Sequence, residues 1–253
     1  MKKPLILAHR GARREAPENT LAAFSKAKEI GADGVELDIR LSKDQQIVVT
    51  HDEKLEKFAG IKNKVSNLML QDLRKLDFGS HFSSQFKGEK IPTLAEVFDL
   101  LRGNMLINVE IKGKNIFGDG REEILTKLIL DMKMEDQVWV SSFNIFALHR
   151  MMKMAPHIKR GYLFYEKQDF FSKKGSWDFF VKPQSWNISR TLIQNTTIDQ
   201  IHQKGRECWI WTVNEEKEVE KFSQAGADVI ITDEPRKFLS LFKKLIQQQT
   251  PTT

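Results

Sequence analysis

The stretch GADGVELDIR, residues 31–40, joins a helix stop to a strand of alternating polarity. Gly31 is typical of the position that follows a helix, and the residues after it alternate as the two faces of a strand do. The apolar face consists of Val35, Leu37 and Ile39. If that face packs against helices, Glu36 and Asp38 point together into the interior. Buried neighbouring carboxylates are costly unless they are protonated or neutralised, so this strand predicts a functional site.

Short apolar runs alternate with helical patterns along the whole chain of 253 residues. Eight runs are predicted to be strands: 5–9, 34–39, 106–111, 137–142, 159–164, 178–182, 208–213 and 228–233. Helix starts lie between them, for example the capping box formed by Thr93 and Glu96. This alternation predicts one α/β domain over residues 1–253, a (β/α)₈ TIM barrel. A doubly wound open sheet is the alternative.

The segment after the second predicted strand breaks the alternation, because it is too long for a βα loop. We predict that residues 52–91 form an insertion lobe at the upper rim of the barrel, where such enzymes elaborate their substrate sites. Four aromatic residues of this lobe either line an apolar pocket or form its small core: Phe58, Phe78, Phe82 and Phe86.

The composition restricts the location and the partners of the protein. The net charge of +6 is spread along the chain, which is typical of a solvated surface. We therefore expect no nucleic-acid partner. The chain has no apolar run long enough for a membrane span or a signal peptide, which predicts a cytoplasmic protein without stable membrane insertion. Its single cysteine, Cys208, excludes an intrachain disulfide.

The third predicted strand repeats the acidic pattern of the second. In LINVEIK, residues 106–112, the inward face carries Glu110 and Lys112. Acids on two neighbouring strands, at the end where barrel active sites lie, suggest a divalent cation between Glu36, Asp38 and Glu110. Oxygen ligands without cysteine favour Mg²⁺ or Ca²⁺ over structural zinc. The alternative is a set of salt bridges, of Glu110 with Lys112 or of Glu36 with Arg10.

Two histidines follow predicted strands at the same end of the barrel. His9 and Arg10 end the first strand, and His51 follows the run IVVT. An arginine offers a planar fork that matches phosphate oxygens, and two imidazoles supply a general base and a general acid. Neither a P-loop pattern nor a GxSxG elbow occurs in the chain. These residues predict metal-assisted chemistry on a phosphate ester.

The motifs of the chain closely resemble the glycerophosphodiester phosphodiesterase family over residues 8–235. They occur in the family's order: HRG, PENT, GADGVELDIR, HD, IPTL, NVEIK, SSFN, WTVN and ITDEP. The combination of HRG, E-L-D and HD carries most of the specificity.

The resemblance implies an enzyme that hydrolyses a small-molecule glycerophosphodiester to sn-glycerol 3-phosphate and an alcohol with a divalent cation. It implies a TIM barrel with a small insertion after strand 2. By position, the metal ligands would be Glu36, Asp38 and Glu110, the acid–base pair His9 and His51, and the phosphate ligands Arg10 and Lys112. In the family the glycerol hydroxyl of the substrate is thought to attack phosphorus and form a cyclic phosphate.

Other positions are less specific. Trp211 forms either a pocket wall or part of the core, Asp233 either supports the site or caps a turn, and Asn19 either orders the rim or caps a helix. The insertion departs from the family, since EKLEKFAGIKNK stands where related sequences often have an Arg-Thr-Thr-Gly-like run. Two further hypotheses are therefore kept: a lysophospholipase D-type enzyme and a barrel that only binds phosphodiesters.

Overall fold

A computed structural model describes residues 3–113, 115–165, 177–193 and 197–249 of the chain. The strands in these residues belong to one sheet. They are β1 Leu5–His9, β2 Gly34–Leu41, β3 Ile47–Val49, β4 Leu106–Ile111, β5 Val138–Ser142, β6 Lys159–Phe164, β7 Ser185–Ser189, β8 Glu207–Trp211 and β9 Val229–Thr232.

All strands except β3 close into a parallel barrel, because β1 pairs with both β2 and β9. The barrel confirms the predicted (β/α)₈ fold and excludes an open sheet. The short strand β3 pairs antiparallel with β2 at Ile39–Leu41. The pairing of β1 with β2 ends at Glu36, so β3 follows β1 along the same edge of β2 at the carboxyl end of the barrel.

Helices surround the barrel. They are α1 Leu21–Ile30, α2 Glu56–Ala59, α3 Leu70–Leu73, α4 Leu94–Leu101, α5 Arg121–Asp131, α6 Ile145–Met154, α7 Asp178–Val181, α8 Thr197–Gln203, α9 Glu216–Gln224 and α10 Pro235–Gln249. The predicted capping box of Thr93 and Glu96 is present at the start of α4. Gly31 ends α1 with φ 78°, a left-handed conformation that suits glycine. Among the described residues, no helix combines the length and the apolar character needed to cross a membrane.

The main hydrophobic core lies between the barrel wall and the helices. The outward residues of β2, including Leu37, are buried there with Phe24 of α1 and Phe98 of α4. Phe238 and Phe242 of α10 are also buried in this core, so the amphipathic C-terminal helix docks on the barrel. The outward face of β2 is therefore apolar, which leaves Glu36 and Asp38 on the inner face, as predicted.

One predicted strand is wrong. Residues 178–182 contain helix α7, Asp178–Val181, instead, and the seventh barrel strand is Ser185–Ser189. Trp186 and Ile188 of this strand pack in the outer core, while Ser185, Asn187 and Ser189 alternate with them. Because this inner face is polar, the strand resembles a loop in composition. The apolar run DFFV belongs to a short helix that Asp178 anchors by accepting a hydrogen bond from Trp186 Nε1 at 2.7 Å.

The segment between β3 and α4 has a separate small core. It consists of Val48, Leu55, Phe58, Val65, Leu73, Phe78 and Ile91. The rings of Phe58 and Phe78 stack with centroids 5.9 Å apart, so these two residues pack inside the lobe. Phe82 and Phe86 contact each other edge to face, and Phe82 is partly exposed. The contacts favour packing over an apolar pocket, and the lobe boundaries at residues 52–91 stay a prediction.

Candidate active site

Three carboxylates lie together at the carboxyl end of the barrel. Glu36 and Asp38 come from β2 and Glu110 from β4, and the register places Asp38 opposite Glu110. One oxygen of each carboxylate lies within 4.8 Å of the others. All three residues are buried. Strand alternation therefore produces the acidic cluster that the sequence predicted.

Two cations balance part of this charge. Lys112 Nζ lies 2.7 Å from Glu110 Oε1 and 3.1 Å from Asp38 Oδ1, and Arg10 Nε lies 3.4 Å from Asp38 Oδ2. Burial alone would raise the pKa of the Asp38 carboxyl, but Lys112 and Arg10 outweigh it and hold that pKa well below its usual range. The pKa of Lys112 is raised because Glu110 and Asp38 outweigh its own burial. Asp38 is thus ionised within the cluster.

The remaining charge is less well compensated. Burial, together with Asp38 and Glu110, raises the pKa of the Glu36 carboxyl well above its usual value. Burial is also the main cause of the raised pKa of Glu110. A salt bridge of Lys112 with Glu110 exists, as the alternative interpretation required, but it leaves Glu36 under-compensated. Oxygens that share one Mg²⁺ or Ca²⁺ at about 2.0–2.6 Å are at most about 5 Å apart, so the cluster fits a divalent cation.

His9 lies at the end of β1, beside the acidic cluster. Its Nδ1 is 2.7 Å from Asp233 Oδ1, and its Nε2 is 3.8 Å from Glu36 Oε2. Burial lowers the pKa of the imidazole, although the hydrogen bond with Asp233 opposes this effect. The ring therefore turns one nitrogen towards a supporting carboxylate and the other towards the cluster.

His51 has a similar arrangement directly after β3. Its Nδ1 lies 2.7 Å from Asp52 Oδ1, and its backbone carbonyl accepts two hydrogen bonds from the Arg40 guanidinium, at 2.9 and 2.6 Å. Burial lowers its pKa more than the nearby Asp38 charge raises it. Both histidines thus favour the neutral imidazole, and each has a carboxylate partner at Nδ1.

A sharp turn after β1 places Arg10. Arg10 and Gly11 both have positive φ, at 57° and 79°. A Cβ atom on Gly11 would lie 2.8 Å from the backbone carbon of Ala23, so only glycine fits against α1. The turn lets the Arg10 backbone N–H donate to Glu36 Oε2 at 3.2 Å. The Gly of HRG is therefore required by the close packing of the turn.

Several site residues were missed or only loosely predicted from sequence. Asn19 is not a helix cap, because Thr20 caps α1, and Asn19 Nδ2 donates to Asp38 Oδ2 at 2.9 Å. Glu18 accepts a hydrogen bond from Arg10 Nη1 at 2.9 Å and is also paired with Arg13. Both residues belong to the motif PENT. Because this motif also fits a helix cap, the sequence alone did not show that they contact the site.

Trp211 is the last residue of β8, at the carboxyl end of the barrel. Its indole Nε1 donates to the Asn187 carbonyl at 2.9 Å, and its ring meets Phe143 edge to face at 5.6 Å. The side chain is half-buried and packs on the apolar cluster that contains Trp209. The contacts show that Trp211 packs against this core cluster, and its role as a pocket wall stays a prediction.

Comparison with known proteins places this geometry in a family. A sequence profile of the Glycerophosphoryl diester phosphodiesterase family matches residues 9–237. The chain belongs to this family. A glycerophosphodiester phosphodiesterase from Caldanaerobacter subterraneus subsp. tengcongensis is 38% identical over 245 residues, covering 96% of this chain and 99% of that protein. The enzyme of that name from Bacillus altitudinis is 32% identical over 245 residues, covering 95% and 98%.

A solved structure agrees with the assignment of the chain to this family. A phosphodiesterase from Oleispira antarctica, in complex with the product sn-glycerol-3-phosphate, has a TM-score of 0.87 and 27% identity, covering 95% of this chain and 97% of that one. The match to the family and to its named enzymes confirms the predicted resemblance and the predicted enzyme class, a phosphoric diester hydrolase.

Proposed function

We propose that the protein hydrolyses glycerophosphodiesters to sn-glycerol 3-phosphate and an alcohol, with a divalent cation held by Glu36, Asp38 and Glu110. The observation that carries the proposal is the convergence of these carboxylates with two imidazoles, each supported by a carboxylate 2.7 Å from its Nδ1. The Oleispira antarctica protein, which binds sn-glycerol-3-phosphate, supports the choice of product.

The phosphate group of the substrate would bind between the cations of the site. Arg10 and Lys112 lie against the carboxylate cluster, and both supply N–H donors suited to phosphate oxygens. When bound, Mg²⁺ or Ca²⁺ would neutralise charge on the phosphate and polarise the bond to phosphorus. The residues that hold these charges also fix the orientation of the reacting phosphorus.

His9 and His51 would move the protons. One neutral imidazole accepts the proton of the glycerol hydroxyl as that oxygen attacks phosphorus, and the other, protonated, donates a proton to the departing alcohol oxygen. A cyclic phosphate and the free alcohol result. Water then opens the ring with the two roles reversed, which gives sn-glycerol 3-phosphate. The lowered pKa of each imidazole favours the neutral form that the base needs, and the substrate phosphate would favour the charged form of the acid.

A direct test offers the purified protein several glycerophosphodiesters with Mg²⁺, with Ca²⁺ or with a chelator, and measures sn-glycerol 3-phosphate. We expect product with at least one metal and almost none with the chelator. His51→Ala should lower turnover by at least ~100-fold, as expected for the loss of an acid–base group. His157→Ala, which changes an exposed histidine, is the matched control and should retain activity. Absence of product with every metal would refute the proposal.

A location in the cytoplasm stays part of this proposal. It is supported by Cys208, the single cysteine of the chain, which is free and buried and does not depend on an oxidising compartment.

A further inference from the structure

We propose that Asn214 is a positioning residue that acts through Asp233 to fix the orientation and the tautomer of His9. This inference rests on the proposed function for its kinetic consequences. Its structural basis lies in the loop that follows β8, where Asn214 ends the motif WTVN.

The side-chain amide of Asn214 holds both the backbone and the carboxylate of Asp233. Its Oδ1 accepts the Asp233 backbone N–H at 2.9 Å, and its Nδ2 donates to Asp233 Oδ2 at 2.8 Å. The same Oδ1 accepts from Thr232 Oγ1 at 3.2 Å. One planar amide thus bridges from the end of β8 to the end of β9. Because the amide forms hydrogen bonds with both the backbone N–H and the carboxylate of Asp233, it restricts the position and the rotation of that carboxylate.

The second oxygen of Asp233 then has a fixed direction. Oδ1 lies 2.7 Å from His9 Nδ1, and Arg13 Nη1 lies 3.5 Å from the same oxygen. A carboxylate accepts hydrogen bonds, so this contact favours the tautomer with the proton on Nδ1. His9 Nε2 then has its lone pair free on the side of Glu36, where a substrate proton would be exchanged.

Loss of the amide donor would leave the carboxylate free to rotate. Asp233 Oδ2 would then lack its partner, and either oxygen could face His9 at a changed angle. The imidazole would lose part of its preference for one tautomer, while the phosphate-binding residues Arg10 and Lys112 would remain in place. The expected kinetic signature is therefore a lower kcat with little change in KM.

The variant Asn214→Asp removes the Nδ2 donor and retains an acceptor for the Asp233 N–H, but it also adds a negative charge beside Asp233. Asn214→Ala removes the same donor without that charge, so a tautomer shift shared by both variants reports the loss of the donor. A suitable control is Asn144→Asp. Asn144 also lies after a barrel strand; its amide donates to the Asn115 carbonyl at 2.9 Å and caps α6 by accepting the Phe146 N–H at 3.0 Å. The control therefore makes the same chemical change at the same end of the barrel without touching Asp233.

The experiment combines nitrogen NMR of ¹⁵N-histidine-labelled full-length protein, with and without Mg²⁺, and steady-state kinetics. His9→Gln assigns the His9 resonances. We expect the neutral wild-type ring to carry its proton on Nδ1, and Asn214→Asp to raise the Nε2–H fraction several-fold. Asn214→Asp should lower kcat by about 10-fold, the lower range for outer partners of a reacting group, with KM nearly unchanged, while Asn144→Asp should match wild type in tautomer.

Two results would overturn the inference. The first is a folded Asn214→Asp protein with the wild-type tautomer of His9 and the wild-type kcat. The second needs no variant: a wild-type His9 with its proton mainly on Nε2 would contradict the proposed support. Because NMR requires no substrate, a tautomer shift in a protein without phosphodiesterase activity would refute the proposed function and leave the positioning role intact.

Discussion

The two ends of the barrel interior are built from the same strands but have opposite chemistry. Near the amino ends, inward residues form an apolar floor that contains Leu7, Trp139, Trp209, Val229 and Ile231. The rings of Trp139 and Trp209 lie 4.6 Å apart. Near the carboxyl ends, the same alternation presents three carboxylates and their cations. The floor contributes to stability through packing, whereas the upper end concentrates buried charge.

Within β1, the change from apolar to charged surroundings takes place between two successive inward-facing residues. Leu7 is fully buried in the apolar floor, and His9, two residues later on the same face, contacts Asp233 and Glu36. Variants of the two regions should therefore separate stability from activity.

A truncation in the floor should mainly reduce stability. We expect Trp209→Ala to lower the free energy of unfolding by about 3–5 kcal/mol, because it removes a fully buried indole and leaves a cavity. Chemical denaturation measures this change. Phe179→Ala is the matched control, since Phe179 is 74% exposed and should change stability by less than about 0.5 kcal/mol. A loss below about 1 kcal/mol for Trp209→Ala would contradict this role of the floor.

A truncation in the acidic cluster should mainly reduce activity. We expect Glu36→Ala to lower kcat/KM for glycerophosphodiesters by at least ~100-fold, because the charge stabilisation from a bound cation is worth several kcal/mol. The fold should persist, since the variant removes a poorly compensated buried charge. Glu29→Ala, which changes an exposed carboxylate of α1, serves as control. Near-normal turnover in Glu36→Ala would remove Glu36 from its proposed role.

The raised pKa of Glu36 predicts a pH-dependent stability difference in the metal-free protein. Ionisation of this carboxyl costs more in the folded than in the unfolded state, so its contribution to stability falls as pH rises above its unfolded pKa of about 4.5. Glu36→Gln cannot ionise. Its stability relative to wild type should therefore grow with pH, by at most about 1.4 kcal/mol per pH unit.

Urea denaturation with a chelator between pH 4 and pH 8 measures this difference, with Glu29→Gln as the matched control. Added Mg²⁺ or Ca²⁺ should reduce the advantage of Glu36→Gln, since the wild-type protein alone retains all three carboxylates. A difference that stays constant or falls with pH would contradict the assigned electrostatics.

Cys208 lies on the buried outer face of β8, and the reactivity of its thiol measures how well solvent is excluded from this part of the barrel wall. Burial raises the pKa of its thiol to about 12, and only the thiolate reacts readily with electrophiles. We expect the native protein to resist a thiol reagent at pH 8 and the unfolded protein to bind one equivalent. Rapid labelling of the native protein would show that this part of the wall opens easily.

Much of the polar end was predictable because strand alternation and charge coincide there. The inward direction of Glu36, Asp38 and Glu110 follows from the apolar residues that alternate with them, and the structure brings all three together. Sequence alone could not determine how Lys112 divides its contacts between Asp38 and Glu110, because this depends on the register of two strands.

The parts that were missed or left open depend on contacts between distant segments. Asp233 reaches His9 because β9 closes the barrel against β1, and Asn214 in turn contacts Asp233. The seventh strand was missed because Ser185, Asn187 and Ser189 make its inner face polar, so that its hydrophobic pattern was weaker than that of helix α7. In both cases tertiary closure decides the structure, and local periodicity carries little information about it.

We propose that Glu36, Asp38 and Glu110 form a divalent-cation site, and anomalous diffraction from crystals soaked in Mn²⁺ or Ca²⁺ can test this claim. We predict one strong peak within about 2.0–2.6 Å of an oxygen from each of Glu36, Asp38 and Glu110, and its loss in Glu36→Ala. A map without a peak at this position, with Lys112 still bridging Asp38 and Glu110 at saturating metal, would contradict the claim.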